Sequence, residues 1–292
     1  MKFRFCFTSF LCLLCYSASM DAQTPQIKGF MPGQAAKAER YMTFNDNASY
    51  KVTYKFEFAP DNEYPDEKKE ALTVLLVGKK HTLFADYYSL LMDSVKTELI
   101  KQGEGANVQL SKLLPISKRI QFEPWIVNNY PDKGNALFQE TLGKTTYRYV
   151  DSSTSVAWSL TDSVKSINGY VCKNAICNYK GRQYSAWYSP DVALYVGPYT
   201  FSGLPGLIFE VRDFRNEFVF TLEGLEQLKD SKPIQISDRE IAEISRDDFR
   251  KLKKNLAENP AEILKLLSGK ANVSSSAIKG MQSRPFNPIE KE

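Results

Sequence analysis

The sequence predicts a mainly β protein, a β-rich α+β fold built on a single curved antiparallel sheet that curls as far as a half-barrel and carries C-terminal helices. Three observations predict it. Short apolar segments alternate with period two along most of the chain, the gaps between them carry tight-turn residues in place of crossover helices, and helical periodicity is convincing only near the C-terminus.

The chain opens "MKFRFCFTSFLCLLCYSASMDAQ". Lys2 and Arg4 precede an apolar stretch from Phe5 to Tyr16 and then small residues, the layout of a secretory signal cleaved near Ala22. The alternative, a lipoprotein signal anchored at Cys12 or Cys15, is disfavoured because Leu11 and Leu14 stand where a small residue is expected. No later segment has the roughly 18 uninterrupted apolar residues a membrane helix needs, so no transmembrane segment is expected after cleavage. Removing Lys2, Arg4 and Asp21 from the 38 basic and 34 acidic residues leaves 36 and 33. That near balance, without an arginine-rich face, argues against nucleic acid as a partner. Basic clusters such as Arg250 to Lys254 read as solvated helix faces.

Residues 23–48 read as a flexible lead-in and 49–269 as one antiparallel β domain with C-terminal helices. In "SYKVTYKFEF", Tyr50, Val52, Tyr54, Phe56 and Phe58 alternate with Lys51, Thr53, Lys55 and Glu57, the pattern of a half-buried strand. "ALTVLLVGKKHTLFADYY" reads as strand, Gly78-Lys79-Lys80 turn and second strand, a hairpin. Tyr88 to Glu104 fits a short helix or a long loop equally well. Further strands are expected near Arg119–Phe122, Asn135–Leu142, Thr145–Val150, Ala157–Leu160, Tyr170–Tyr179, Gln183–Ser189, Leu207–Asp213 and Glu217–Leu222, with turns at Gly143-Lys144 and Lys180-Gly181-Arg182. Ser245 caps a helix carrying Phe249, Leu252 and Leu256 at helical spacing, and Asn259-Pro260 begins a second that Gly269 ends. Residues 270–292 read as a disordered tail.

Of the five cysteines, only Cys172 and Cys177 lie beyond the signal. In one straight strand their Cα atoms stand roughly 16 Å apart on opposite faces, whereas a disulfide needs about 5.5–6 Å. Two buried thiols are the favoured reading, and a bulge that brings them together is the alternative. The single histidine, His81, has no catalytic motif around it. No zinc spacing and no phosphate loop is present, so no catalytic residue, metal or cofactor is expected.

Aromatic residues are the positive signal. In "QYSAWYSP", Tyr184, Ala186 and Tyr188 go to one strand face and Gln183, Ser185 and Trp187 to the other, and only one face serves as ordinary core. The second face lines a cavity, meets a helix or faces a partner. Trp187, Tyr188, Tyr199 and Phe201 are the candidate ligand-binding residues. Gly203-Leu204-Pro205-Gly206 form a structural corner, and Leu204 to Leu207 fit a type II turn launching a buried hairpin.

Gly203 to Ile208 spells the signature from which the GLPGLI family of exported Bacteroidetes proteins takes its name. The chain resembles that family also at Gly169, Tyr170 and Cys172 of "NGYVCKNA", at Gly181, Arg182, Trp187 and Tyr188 of "GRQYSAWYSPDV", and at Gly197 to Tyr199. The likeness is strong from Ile167 to Asp213 and looser over Ser49 to Asp93. It implies Sec-dependent export to the envelope of a Gram-negative bacterium, periplasmic or outer-membrane associated, and brings no established activity and no catalytic residues. In that lineage Asp93-Ser94-Val95 and Asp162-Ser163-Val164 resemble a short acidic O-glycosylation sequon. The expected function is non-catalytic binding of a hydrophobic small molecule or of an outer-membrane protein. The alternative is a periplasmic hydrolase using His81.

Overall fold

Strand β1, Tyr41–Phe58, is the spine of the sheet. Its alternation sends Val52, Tyr54 and Phe56 fully inward, while Lys51 pairs with Glu226 and Lys55 with Glu57 on the outer face. On one side β1 pairs with β2 (Lys69–Val77), from which the chain continues through β3 (Thr82–Asp86), β4 (Trp125–Asn128), β5 (Ala136–Leu142) and β6 (Thr145–Asp151). On the other it pairs with β11 (Phe218–Ser237), which closes a second run of β7 (Ser159–Ile167), β8 (Tyr170–Tyr179), β9 (Arg182–Ser189) and β10 (Leu207–Asp213). A short β12 (Ile241–Glu243) pairs with β6 in parallel. The result is a 12-stranded sheet in the order β12-β6-β5-β4-β3-β2-β1-β11-β10-β9-β8-β7, not closed into a barrel.

The computed structural model describes residues 40–152, 155–260 and 286–292, all within the unit Ala35–Glu292. The expected export signal, the lead-in up to residue 39, the helix expected beyond Pro260 and residues 270–285 lie outside the described residues.

Contacts between distant strands show that the sheet curls on itself. Laid flat at about 4.8 Å per strand, β6 and β9 would stand roughly 40 Å apart. Yet Lys180, in the β8–β9 turn, is ion-paired to Asp151 at the end of β6, and the ring of Phe138 on β5 lies 5.9 Å from that of Tyr199 in the β9–β10 connection. The concave interior is aromatic, with Phe56 stacked on Phe220 at 4.1 Å and Phe84, Phe122, Phe201 and Tyr184 packed around it. A second core covers the convex face of β2 to β5, where Val74, Leu76, Leu83, Val127 and Leu137 meet Phe44, Ala48, Ile234 and Ile236 from the far ends of β1 and β11. The β1–β11 register breaks twice between Thr43 and Tyr50, which lets this ribbon bend across the sheet. Burial on both faces explains why "ALTVLLV" is a continuous apolar run in an antiparallel strand.

Several expectations are revised. Strand structure begins at Tyr41, inside the expected lead-in, because residues 41–48 supply half of the second core. Tyr88 to Lys101 is helical: α1 (Tyr87–Lys101), capped by the Asp86 carboxylate, pairs with α2 (Ala106–Ser117). Arg119–Phe122 is a connection and β4 follows it, since the carboxylate of Asp86 draws the backbone N–H groups of Gln121 and Phe122 out of any ladder. Residues 286–292, assigned to a disordered tail, are docked by contacts described below.

The corner is present, but it is not a type II turn. Gly206 N–H donates to Leu204 O at 2.9 Å, leaving Leu207 N–H to bond Val192 O at 3.1 Å. Gly206, at φ +149, is required by close approach, because a Cβ there would stand 2.0 Å from the Ser189 carbonyl oxygen. Gly203, at φ +91, has open space around it. The hydroxyl of buried Tyr54 donates to Ile208 O at 2.7 Å, tying the corner to the spine.

Asp46 organises the β2–β3 hairpin. Burial works against its ionisation, but N–H bonds from His81, Lys80, Lys79 and Asn47 outweigh that and hold its pKa below the usual carboxylate range. A depressed folded pKa contributes stability above the unfolded pKa and loses it as pH falls through the folded value. Asp46→Asn is therefore expected to destabilise at pH 7 and progressively less toward pH 3, read from denaturant midpoints. Gly203 and Gly206 both hold positive φ, so Gly203→Ala should cost about 1–2 kcal/mol from backbone strain alone, and Gly206→Ala more than that, because its Cβ would also collide with the Ser189 carbonyl. Equal midpoints for the two glycine variants would remove the close-approach explanation.

Candidate functional site

Between the curled sheet and helix α3 (Arg246–Glu258) lies a cavity of about 580 Å³. Its floor is the concave face: Phe56, Phe58, Phe122, Phe138, Tyr149, Tyr199 and Phe218. Its roof is one stripe of α3 and the residue just beyond it. Ser245 caps the helix by accepting from Asp248 N–H, as its sequence implies. Residues 246, 249, 250, 253, 256, 257 and 260 then recur at helical spacing over the floor. Phe249 is buried against Tyr147 and Tyr149, at 5.8 and 5.3 Å between ring centroids.

The stripe carries charge as well as carbon. Lys253 pairs with Glu140 at 2.8 Å, and Arg246 bridges Asp151 at 3.1 Å and Glu290 at 2.8 Å. The sequence reading of Arg250 to Lys254 as a solvated face holds for Lys251 and Lys254 but not for Arg250 and Lys253, which line the cavity. A basic residue every third or fourth position beside Phe249 and Leu256 was the available signal. Glu123 keeps solvent contact, yet desolvation and the charge of Glu140 raise its carboxyl pKa.

Residues 286–292 run as a strap along the mouth. Arg182 donates twice to Pro288 O, at 2.9 and 3.1 Å, and Tyr184 hydroxyl donates to Ile289 O at 2.6 Å. Lys291 N–H bonds Lys180 O, and Asn287 reaches Ala59 O. Glu290, within this strap, is buried, accepting from Tyr199 hydroxyl at 2.8 Å and paired to Lys180 at 3.2 Å. Arg182 itself is buried between Asp213 and Glu217, at 3.2 and 2.7 Å. Desolvation alone would raise the Glu217 carboxyl, but the bonds and charge of Arg182 outweigh it and lower its pKa.

Of the four residues expected from sequence to bind ligand, Tyr199 forms cavity wall and donates to Glu290. It holds a left-handed backbone, φ +59, rare for a bulky side chain. Phe201 lies behind it, 6.2 Å between centroids, fully buried, and Tyr188 is buried in the same core. Trp187 is half-buried on the opposite strand face, under Lys165 Nζ at 4.3 Å. The structure thus brings Tyr199 and Phe201 together at the wall and leaves Trp187 outside it. Burial raises the Tyr199 phenol far above its usual range, with Glu290 adding to it, so it stays a donor.

A family model matches residues 177–210. It is described as "Protein of unknown function (Porph_ging)", is associated with Bacteroidetes, and spans β9, the corner and half of β10. No curated protein matches the chain. Among solved structures, two crystal forms of PNGF-II are each similar at 13% identity and TM-score 0.45, covering 70% of this chain and 32% of that one. The chain therefore spans about a third of the length of PNGF-II. An uncharacterized conserved protein from Thermus thermophilus is similar at 7% identity and TM-score 0.33, covering 67% of this chain and 90% of that one.

His81 lies away from the cavity, its ring near Phe44 and Tyr130, and its buried Nδ1 makes no hydrogen bond among the described residues. Cys172 and Cys177 are both buried and free, and desolvation pushes the Cys177 thiol up to about 12. Among the described residues no helix is long and apolar enough to cross a membrane, and no three His, Cys, Asp or Glu side chains group to hold a metal.

Arg182→Met should lose about 3–5 kcal/mol at pH 7, because it leaves buried Asp213 without its cation and Glu217 with only the exposed Arg215 at 3.5 Å. The deficit should shrink in acid, where the carboxylates protonate and the parent loses the contribution of ionised Glu217. Chemical denaturation of both proteins at pH 4 and pH 7 checks this.

Proposed function

We propose that the protein is a non-catalytic binding protein of the bacterial envelope that holds a hydrophobic small molecule in the cavity beneath α3. The observation that carries this reading is the aromatic floor: seven Phe and Tyr side chains converge on one space of about 580 Å³, within the roughly 300–1,000 Å³ of small-molecule sites. Tyr199 supports it, since a bulky residue held at positive φ inside a wall is a position where strain serves a site. The resemblance to exported GLPGLI proteins and the signal-like first 22 residues support a place of action outside the cytoplasm.

A hydrolase built on His81 draws no support from the geometry. A general base must reach the proton it takes, directly or through one water, and the buried Nδ1 belongs to a ring packed near Phe44 and Tyr130.

Titration with the neutral fluorescent probe N-phenyl-1-naphthylamine tests the reading. Saturable uptake near one equivalent is expected, weakened at least about tenfold by Ala257→Trp, which fills the cavity from its roof. Trp187→Phe should bind as the parent does. Absence of uptake, or uptake indifferent to Ala257→Trp, would overturn the reading. So would recovery from cells with an outer-membrane protein but without a small molecule by native mass spectrometry.

A further inference from the structure

The proposed ligand cavity has an asymmetry of charge that assigns one end of its occupant. Every other basic side chain on α3 has a carboxylate partner. Arg246 has Asp151 and Glu290, Lys251 has Asp248 at 3.0 Å, Lys253 has Glu140, and Lys254 has Glu258 at 3.8 Å. Arg250 has none among the described residues. It donates only to the main-chain oxygen of Lys291, at 2.6 Å, and is half-buried. Helical spacing places it between Arg246, one turn before, and Lys253, three residues after, on the stripe that roofs the cavity.

Its position joins two spaces. Arg250 lines the aromatic cavity and also an outer pocket of about 680 Å³, whose other charged walls are Lys251, Lys254 and Lys291 with Asp247 and Glu258. An apolar interior thus ends at a cation that opens toward a polar, mainly basic vestibule. A guanidinium presents a fixed fork of donors that suits a carboxylate or phosphate, and a half-buried one is less screened than one in bulk water.

We propose that the cavity takes an anionic amphiphile, its apolar tail among Phe56, Phe58, Phe122 and Phe138 and its carboxylate or phosphate head on Arg250. This rests on the reading of the cavity as a ligand site and adds the class of ligand and its direction. Of the acidic side chains in the vestibule, Glu258 pairs with Lys254 at 3.8 Å and Asp247 stands 3.9 Å from Arg246. Glu290 and Glu140 are neutralised by the cations named above, and Glu123 lines the cavity from the connection before β4, within the field of Lys253.

Competition against N-phenyl-1-naphthylamine bound to the full chain tests the head assignment. Dodecanoate and dodecyl phosphate should displace the probe at concentrations at least about tenfold lower than dodecanol, and dodecylammonium should be the weakest. In Arg250→Gln the ratio of dodecanoate to dodecanol should fall close to one, and Arg250→Lys should restore part of it. Equal displacement by dodecanoate and dodecanol in the parent, or a preference for dodecylammonium, overturns the head assignment while leaving the cavity reading intact. A ratio unchanged in Arg250→Gln does the same. Failure of the probe and of all four amphiphiles to bind overturns both.

Discussion

The geometry depends on a buried ionic clasp that joins parts of the sheet eight strands apart. Lys180 lies between Asp151 and Glu290, Arg246 reaches the same two carboxylates from α3, and Tyr199 hydroxyl holds the second of them. Two cations and two carboxylates thus close one circuit linking β6, the β8–β9 turn, α3 and the strap. Desolvating such groups costs nearly what their attraction returns, so the clasp adds little net stability. It adds position: Lys180 and Arg246 each meet the same two carboxylates, so the flanks are held where all four charges are paired. Arg182, two residues on from Lys180, pairs with Asp213 and Glu217 of the neighbouring β10–β11 hairpin and recruits the strap through Pro288.

The hydrophobic effect supplies the energy that this clasp directs. The two cores share strands β2 to β5, whose side chains are buried alternately on the concave and convex sides. A sheet covered on both faces in its middle is stiff there, and its two flanks are left to curl toward each other around the aromatic interior. Because the flanks meet through side chains and not through a ladder, room remains between them for α3 and the cavity it roofs.

Much of the sheet was legible in the sequence because period-two alternation reports a local fact, which face of a strand is wet. β1, the β2–β3 hairpin, β8, β9 and β10 stand where their alternation placed them. The first residues of β1 and the last of β11 were not legible, since Phe44, Ile234 and Ile236 are buried by a bend rather than by the run of their own strand. The corner was visible as a glycine requirement, but its cause is the neighbouring carbonyl of Ser189, contributed by another stretch of chain. Of the aromatic residues between 179 and 220, Tyr199 and Phe218 line the cavity. Phe122, Phe138 and Tyr149 came from segments with no unusual composition. Glu290 sat in a stretch whose polarity resembles a tail, because a buried charge looks like an exposed one until its partners are known.

The open edge between β7 and β12 has a consequence for how such a cavity can change. In a closed barrel the bore is quantised by strand number and stagger, and widening it means rebuilding every ladder. Here the span from Asp151 to Lys180 is set by the reach of side chains. The length of one amine stem, or the presence of one carboxylate at position 290, sets how far apart the two flanks rest. A chain of this design alters the width of its interior by single substitutions at the rim, with all twelve strands and their hydrogen bonds left in register.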